Sequence, residues 1–342
     1  MEKPTVRDIA REAGVSLSTV DRVLNERTGV RPRNAERVKA AVQKLGYVRD
    51  THAANLARRR VYNFVFVLPE GSNQFVDTLR GALKEASASQ LTDRVSMTIK
   101  SVDAEDPHAV VSSLQVLNRH HVDGVGLMVP ETPQVRDAIA RLKENGVAVV
   151  ALVSDLPHSE CDHFVGVDNL AAGRTAGVLL GRFVKASYGS ILVVTNSLGS
   201  RDSLERRLGL DEVIASDFPS LRTLPTVEFH GDVERLSEVI LSALRAHPDL
   251  VGVYSMGPGN GRLLDALRTC GKLRDLVVVA HELTPTTKQA LRHNEIDAVI
   301  AQNVGHLARS ALRVLRAKCD DVQIFMAQEQ IRIDIIMREN LR

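Results

Sequence analysis

The sequence predicts an α/β protein: a small helical unit at the N-terminus, a short joint, and a large two-lobed body of parallel sheets covered by helices. Three observations predict it. Three short helical patterns, each with a start or stop signal, fill the first 46 residues. From Tyr62 onward, wholly apolar runs of strand length alternate with amphipathic runs of helix length, as expected of parallel strands buried on both faces. Charge is also split, because residues 1–60 hold 14 Lys and Arg against 7 Asp and Glu, net +7, while the whole 342-residue chain is only +2. A basic unit on a mildly acidic body implies a polyanionic partner for that unit alone.

The first helix is predicted in "TVRDIAREAG", where Thr5 is the N-cap with Asp8 three residues on, Val6, Ile9, Ala10 and Ala13 are apolar, and Gly14 is the stop. Only Val15 separates that glycine from Ser16, which caps a second helix in "VSLSTVDRVLNE". A joint this short is what a helix-turn-helix requires. In the second helix Val20, Val23 and Leu24 form the inner stripe, whereas Leu17, Ser18, Asp21, Arg22 and Asn25 share the opposite face. Methyl, hydroxyl, guanidinium and amide groups on one face match the chemistry of base edges in the major groove. Pro32 opens a third helix, with Ala35, Val38, Val42 and Leu45 inward and Gly46 closing it.

The joint "RDTHAANLARRR" offers a helix of little more than one turn over Ala53–Ala57, too short to be stable in water without help. Beyond it, strands are expected over 62–69, 95–102, 122–130 and 147–153, then, as the pattern starts again, over 162–168, 190–196, 222–230, 250–256 and 276–282. Helices are expected over 77–87, 108–120, 135–146, 171–185, 202–215, 233–247 and 260–271. Two such series give two lobes, and ligands of open parallel sheets sit beyond the carboxyl ends of the strands. Polar residues gather at those ends, in "EGSNQF", "SDLPHSE", "NSLGSRDSLERRLG" and "HELTPTT", and at Gln302 and Asn303. The stretch 323–342 reads as a last strand or two and a tail without coiled-coil heptads.

"TVRDIAREAGVSLSTVDRVLNER" followed by "RVKAAVQKLGY" resembles the DNA-binding signature of the lactose-repressor (LacI) family. The body, with "HELTPTTKQALRHNEIDAVIAQN" above all, resembles the type I periplasmic sugar-binding fold that this family carries. The resemblance implies a headpiece over 1–50, a hinge over 51–61 and an effector-binding, dimerising body over 62–342. Its lobes would be about 62–158 plus 286–320, and about 162–285 plus 321–342. By that likeness Leu17, Ser18 and Arg22 would read bases, and Ser16, Thr19, Asn25 and Asn34 would hold phosphates or flank the reading helix. Thr5 would cap the first helix at the backbone, and Leu56 of each paired hinge would wedge into the minor groove. Asp21 departs from the family's usual Ser, which bears on the operator sequence rather than on the binding mode. In the body, Phe75 would stack on a sugar ring, Asp155 and Arg206 would bond its oxygens, and Glu282 and Gln302 would complete the contacts. Glu282 stands where the family more often has Asp, leaving less space for the ligand.

The resemblance therefore implies a homodimeric, cytoplasmic regulator of transcription that binds operator DNA and a sugar or polyol. The alternative is a sugar-binding protein or sugar-modifying enzyme with an accessory helical domain. No apolar run approaches the length of a membrane helix. "MGPGNG" at 256–261 reads as a strand-to-helix turn, since a dinucleotide fingerprint needs different glycine spacing in the first βαβ unit. His158, Cys161 and His163 lie close together but lack a second ligand pair, and the three cysteines are widely spaced, so no metal, disulfide or cofactor is expected.

Overall fold

The computed structural model describes residues 4–24, 28–47, 61–71, 73–88, 95–118 and 120–341. It divides into two compact units, Met1–Arg60 and Val61–Arg342. Among the described residues the first holds three helices, α1 (Val6–Ala13), α2 (Leu17–Leu24) and α3 (Pro32–Leu45), around Ile9, Ala13, Val20, Val38 and Ala41. Gly14 and Gly46 both end helices at φ 60°, a left-handed conformation that glycine adopts without cost. At the start of α1 the Asp8 carboxylate accepts from both the Thr5 amide, at 2.9 Å, and the Thr5 hydroxyl, at 2.6 Å. Ser16 Oγ accepts from the Thr19 amide at 3.2 Å and so caps α2.

The second unit holds two sheets. Strands β1 (Tyr62–Pro69), β2 (Val95–Val102), β3 (Gly124–Leu127), β4 (Ala148–Leu152) and β5 (His163–Val165) form a parallel sheet in the order β2-β1-β3-β4-β5. One face packs Phe64, Phe66 and Leu68 against α4 (Gln74–Ala88) and α12 (Val304–Cys319). The other packs Val65, Val67 and Val125 against α5 (Pro107–Gln115) and α6 (Pro133–Glu144). Apolar contacts on both faces explain the near-continuous hydrophobic strands.

The second sheet is β12-β11-β10-β9-β6-β7, built from β6 (Gly189–Thr195), β7 (Leu221–Thr223), β9 (Leu250–Ser255), β10 (Val277–His281), β11 (Ala298–Gln302) and β12 (Ile333–Ile336). A two-residue β8 (Val227–Glu228) pairs with β6 off this path. The sheet is parallel except for the antiparallel β11–β12 pair. Helices α7 (Asn169–Phe183), α8 (Arg201–Asp217), α9 (Val233–Ala246), α10 (Asn260–Thr269) and α11 (Pro285–Arg292) cover it, and a single turn, α13 (Met326–Glu329), precedes β12.

Two expectations are corrected. The strand over 222–230 breaks into β7 and β8 around Pro225, which has no amide hydrogen to donate to a ladder. The lobe boundaries also move. β5 pairs with β4 in the first sheet, and Val279, Ala280 and His281 of β10 register with Ala298, Val299 and Ile300 of β11. Residues 286–302 therefore belong to the second lobe, and the chain returns to the first for α12 and for Ile324 and Ile331, which pack into the core of the first sheet.

Candidate functional site

In the first unit, the outer side of α2 presents Leu17, 48% exposed, together with exposed Ser18, Asp21 and Arg22. Ser16 and Thr19 sit at the start of this helix with their hydroxyls 2.9 Å apart, and Asn34 lies half-buried in the first turn of α3. A leucine held half in water beside a guanidinium and two hydroxyls is costly for a core and suited to a recognition face. Asn25 and Leu56 lie outside the described residues.

In the second unit, the strand ends of the two sheets line a cleft of about 540 Å3. The first lobe contributes Pro69, Phe75, Met128, Pro130 and Ser154, and the second Thr195, Asp202, Met256, Asn260 and Glu282. The lobes touch across it. Asn196 Nδ2 donates to Glu105 Oε1 at 3.0 Å, the Thr286 amide to Gln74 Oε1 at 3.3 Å, the Asp202 amide to Ser154 Oγ at 3.2 Å, and Asn169 Nδ2 to the Val153 carbonyl at 3.0 Å. Val153 and Glu282 follow β4 and β10 and have φ of 65° and 68°. For non-glycine residues this conformation is uncommon and costs of order 1–3 kcal/mol, and here it occurs on both walls of one cleft.

Arg206 organises the floor. It projects from α8, and its position depends on two glycines where α7 and α8 approach closely: a Cβ on Gly173 would stand 2.1 Å from the Arg206 carbonyl oxygen, and one on Gly209 2.2 Å from that of Leu170. Only 2% exposed, Arg206 donates through Nε to Asn169 Oδ1 at 2.9 Å and through Nη1 to the Met256 carbonyl at 2.7 Å. Its guanidinium is 3.6 Å from the Asp202 carboxylate and 3.7 Å from that of Glu282. Gln302 Nε2 donates to Glu282 Oε1 at 2.9 Å.

Arg206 Nη2, Asn260 Oδ1, Glu282 Oε2 and Gln302 Oε1 are all buried without a hydrogen-bond partner. One such group in a folded protein requires a reason. Asn260 and Glu282 line the cleft, and Arg206 and Gln302 stand behind Glu282.

Burial raises the Glu282 carboxyl to about 7, and the opposing pull of Arg206 does not offset it. The geometry explains why, since 3.7 Å is an ion pair without a hydrogen bond and Arg206 is held elsewhere. Beside it, burial and then Arg206 hold the His281 imidazole well below its ordinary value, and its Nε2 lies 2.7 Å from the Tyr254 hydroxyl, which burial pushes up. A neutral His–Tyr pair thus backs the floor. Glu282 can serve as acceptor or, protonated, as donor near neutrality.

Of the five body residues expected at the ligand, Phe75 and Glu282 line the cleft, and Arg206 and Gln302 stand directly behind Glu282. Asp155 is off the wall. It is half-buried, with Oδ1 accepting from the Leu156 amide at 2.8 Å, and Ser154 faces the cleft instead. Sequence reasoning missed Asn169, Asp202 and Asn260. It also read 256–261 as a turn only, whereas those residues form part of the wall.

Two family profiles match this architecture: "Periplasmic binding protein domain" over residues 64–321, and "Bacterial regulatory proteins, lacI family" over residues 5–50. The chain belongs to the lacI family. Relatives include the HTH-type transcriptional regulator DegA of Bacillus subtilis, 28% identical over 51% of this chain and 50% of DegA. Another is the ribose operon repressor of Halalkalibacterium halodurans, 26% identical over 73% of this chain and 71% of the repressor. Among solved structures, GanP, a glucose-galactose binding protein from Geobacillus stearothermophilus, superposes with a TM-score of 0.72 at 18% identity, covering 82% of this chain and 99% of GanP. At that identity the likeness is one of fold. The match to DegA spans half of that relative's length, and the relatives named are regulators and sugar-binding proteins. Among the described residues no helix is long and apolar enough to cross a membrane.

Proposed function

We propose that this lacI-family chain is a homodimeric, cytoplasmic regulator of transcription, acting as a repressor without chemical turnover. Its helix-turn-helix binds operator DNA, and its cleft binds a sugar or polyol that alters the affinity for that operator. The observation that carries the effector half is the set of unpartnered buried polar atoms of Asn260 and Glu282 on the cleft wall and of Arg206 and Gln302 directly behind it. Polyols present many groups that both donate and accept, and a buried carboxyl, amides and a guanidinium answer them. The DNA half is supported by the exposed face of α2, the basic N-terminal segment and the names of the relatives.

Leu17, Ser18 and Arg22 read base edges, Ser16, Thr19, Asn25 and Asn34 position the backbone, and Thr5 caps α1 there. The units are taken as headpiece 1–50, hinge 51–61 and body 62–342, with Leu56 as the hinge wedge. Phe75, Arg206, Glu282 and Gln302 hold the effector, with Asn260 and Asp202 added and Asp155 removed. Linkage makes the coupling reciprocal: a ligand that weakens operator binding must itself bind more weakly to the DNA-bound form. The test is a thermal-shift screen over sugars and polyols, which finds ligands through the stabilisation they confer, followed by operator titrations with each hit. A hit that changes operator affinity supports the reading. A chain that binds no sugar and no duplex at low salt overturns it.

A further inference from the structure

The bonds between the lobes are of two kinds. Gln74 and Glu105 reach the second lobe in exposed positions, where water competes for each partner. Asn169 makes its bond to the first lobe while only 1% exposed. It is the first residue of α7, just beyond the crossing from β5, and the Asp168 carboxylate fixes the start of that helix by accepting from the Ala171 amide at 2.9 Å. The crossing has no slack: a Cβ on Gly166 would stand 2.4 Å from the Phe164 ring and 3.2 Å from Val153 Cα.

The Asn169 amide is used at both ends. Nδ2 donates to the Val153 carbonyl at 3.0 Å, and Oδ1 accepts from Arg206 Nε at 2.9 Å. Those demands are opposite, because a carbonyl only accepts and a guanidinium only donates, so at this size and shape an amide alone serves both. A carboxylate would turn a second acceptor on the Val153 carbonyl, and an apolar side chain would leave both groups buried and unpaired.

Each end leads somewhere. Val153 stands at φ 65°, and across it the Ser154 amide donates to the Leu152 carbonyl at 2.6 Å, the positive φ and short span of a strained γ-turn. That turn ends β4, in the sheet with which the body begins at β1. Arg206 stands behind the cleft wall with Nη2 free, 3.7 Å from Glu282 and 3.6 Å through Nη1 from Asp202, whose amide donates back to Ser154. The circuit Val153–Asn169–Arg206–Asp202–Ser154 thus joins the two lobes through buried and part-buried groups.

Resting on the sugar-effector reading of the cleft, we infer that Asn169 is the positioning residue that carries occupancy of the cleft to the first lobe. A ligand that engages the Arg206–Glu282 side moves the guanidinium, and the Asn169 amide passes that movement to the Val153 turn and its sheet. Valine favours the extended backbone over the left-handed one, so the turn has a relaxed alternative, and a two-state element is what coupling between sites requires.

The experiment compares the full wild-type chain with Asn169→Asp and Asn169→Ala. Each is titrated calorimetrically with ribose, glucose, galactose, arabinose and xylose. Operator affinity, on the duplex that the wild type enriches from a random library, is then measured without and with saturating amounts of the sugars that bind. Asp keeps the acceptor for Arg206 and loses the donor to Val153. Asn169→Asp is therefore expected to bind sugar within about three-fold of the wild type, while the operator response falls from about 5- to 150-fold to about two-fold or less. Asn169→Ala, which adds no buried charge, is expected to lose the response at saturating sugar too. A residue that merely supports the fold would leave the response at saturation intact. Either variant responding as fully as the wild type overturns the inference and leaves the sugar reading standing, as does loss of all sugar binding by both variants. A wild type that binds none of the sugars, or binds one without an operator response, overturns the sugar-effector reading and the inference with it.

Discussion

Replacing Glu282 by Gln tests the electrostatics of the cleft floor. Gln keeps the shape and can retain the bond with Gln302, which is 2.9 Å in the wild type, but it cannot ionise. In the folded chain burial raises the carboxyl from 4.5 to about 7. Because the folded state binds more protons than the unfolded state between those values, wild-type stability falls as pH rises through the window and levels off above it. At about 1.36 kcal/mol per pH unit, the penalty is about 3 kcal/mol at pH 8 and near zero at pH 4.5. Urea unfolding of the wild type and of Glu282→Gln, followed by circular dichroism from pH 4.5 to 8, isolates this contribution, because every other titrating group is common to both. The variant is expected to gain about 3 kcal/mol on the wild type across that range. A stability difference that stays flat with pH would refute the argument that Glu282 is buried without a full ion-pair partner.

Four further outcomes follow from the geometry. Gly209→Ala drives a methyl into the Leu170 carbonyl and should cost ~1–3 kcal/mol in urea unfolding, by forcing α7 and α8 apart. Arg206→Ala removes the group joining Asp202, Glu282, Asn169 and the Met256 carbonyl, and should abolish ligand-induced thermal stabilisation while operator titrations without ligand still show binding. Ser16→Ala removes the cap on α2 and should destabilise the headpiece by ~1 kcal/mol, read as faster amide exchange in Val20–Leu24 of the full chain. Arg22→Ala should relax base preference by ~1–3 kcal/mol at one base pair. Equal weakening on every duplex would show that Arg22 touches only phosphate.

Much of the fold was legible because its signals are local. Thr5, Gly14, Ser16, Pro32 and Gly46 mark the ends of three helices by cap chemistry, and β1 and β2 fall on the expected 62–69 and 95–102 because an apolar run between turn residues has few alternatives. The lobe boundary is non-local. That 286–302 belongs with the second lobe depends on β11 pairing with β10, which no pattern within the segment reveals. Helix α12 carries Leu307, Ala308, Ala311, Leu312 and Leu315 on one face at helical spacing, a local stripe that the expected elements do not include.

The cleft divides the same way. Phe75 and Glu282, legible in sequence from loops that follow strands, line the cleft, with Arg206 and Gln302 behind Glu282. Asp155 does not line the cleft, whereas its neighbour Ser154 does. Val153, at φ 65°, breaks the alternation of the strand, so that Ser154 turns to the cleft. Asn169, Asp202 and Asn260 come from three different helices, and only the packed structure shows them meeting around Arg206 and the Met256–Gly261 turn.

The central claim is that the cleft and the helix-turn-helix are coupled in one molecule. Its most direct measurement selects duplexes from a random library with the purified full chain at low ionic strength, then titrates the enriched duplex with and without a sugar or polyol that raises the melting temperature. The account predicts an enriched inverted repeat and an affinity change of about 5- to 150-fold on adding the ligand. No enriched sequence, or an operator affinity indifferent to a ligand that demonstrably binds, would contradict it.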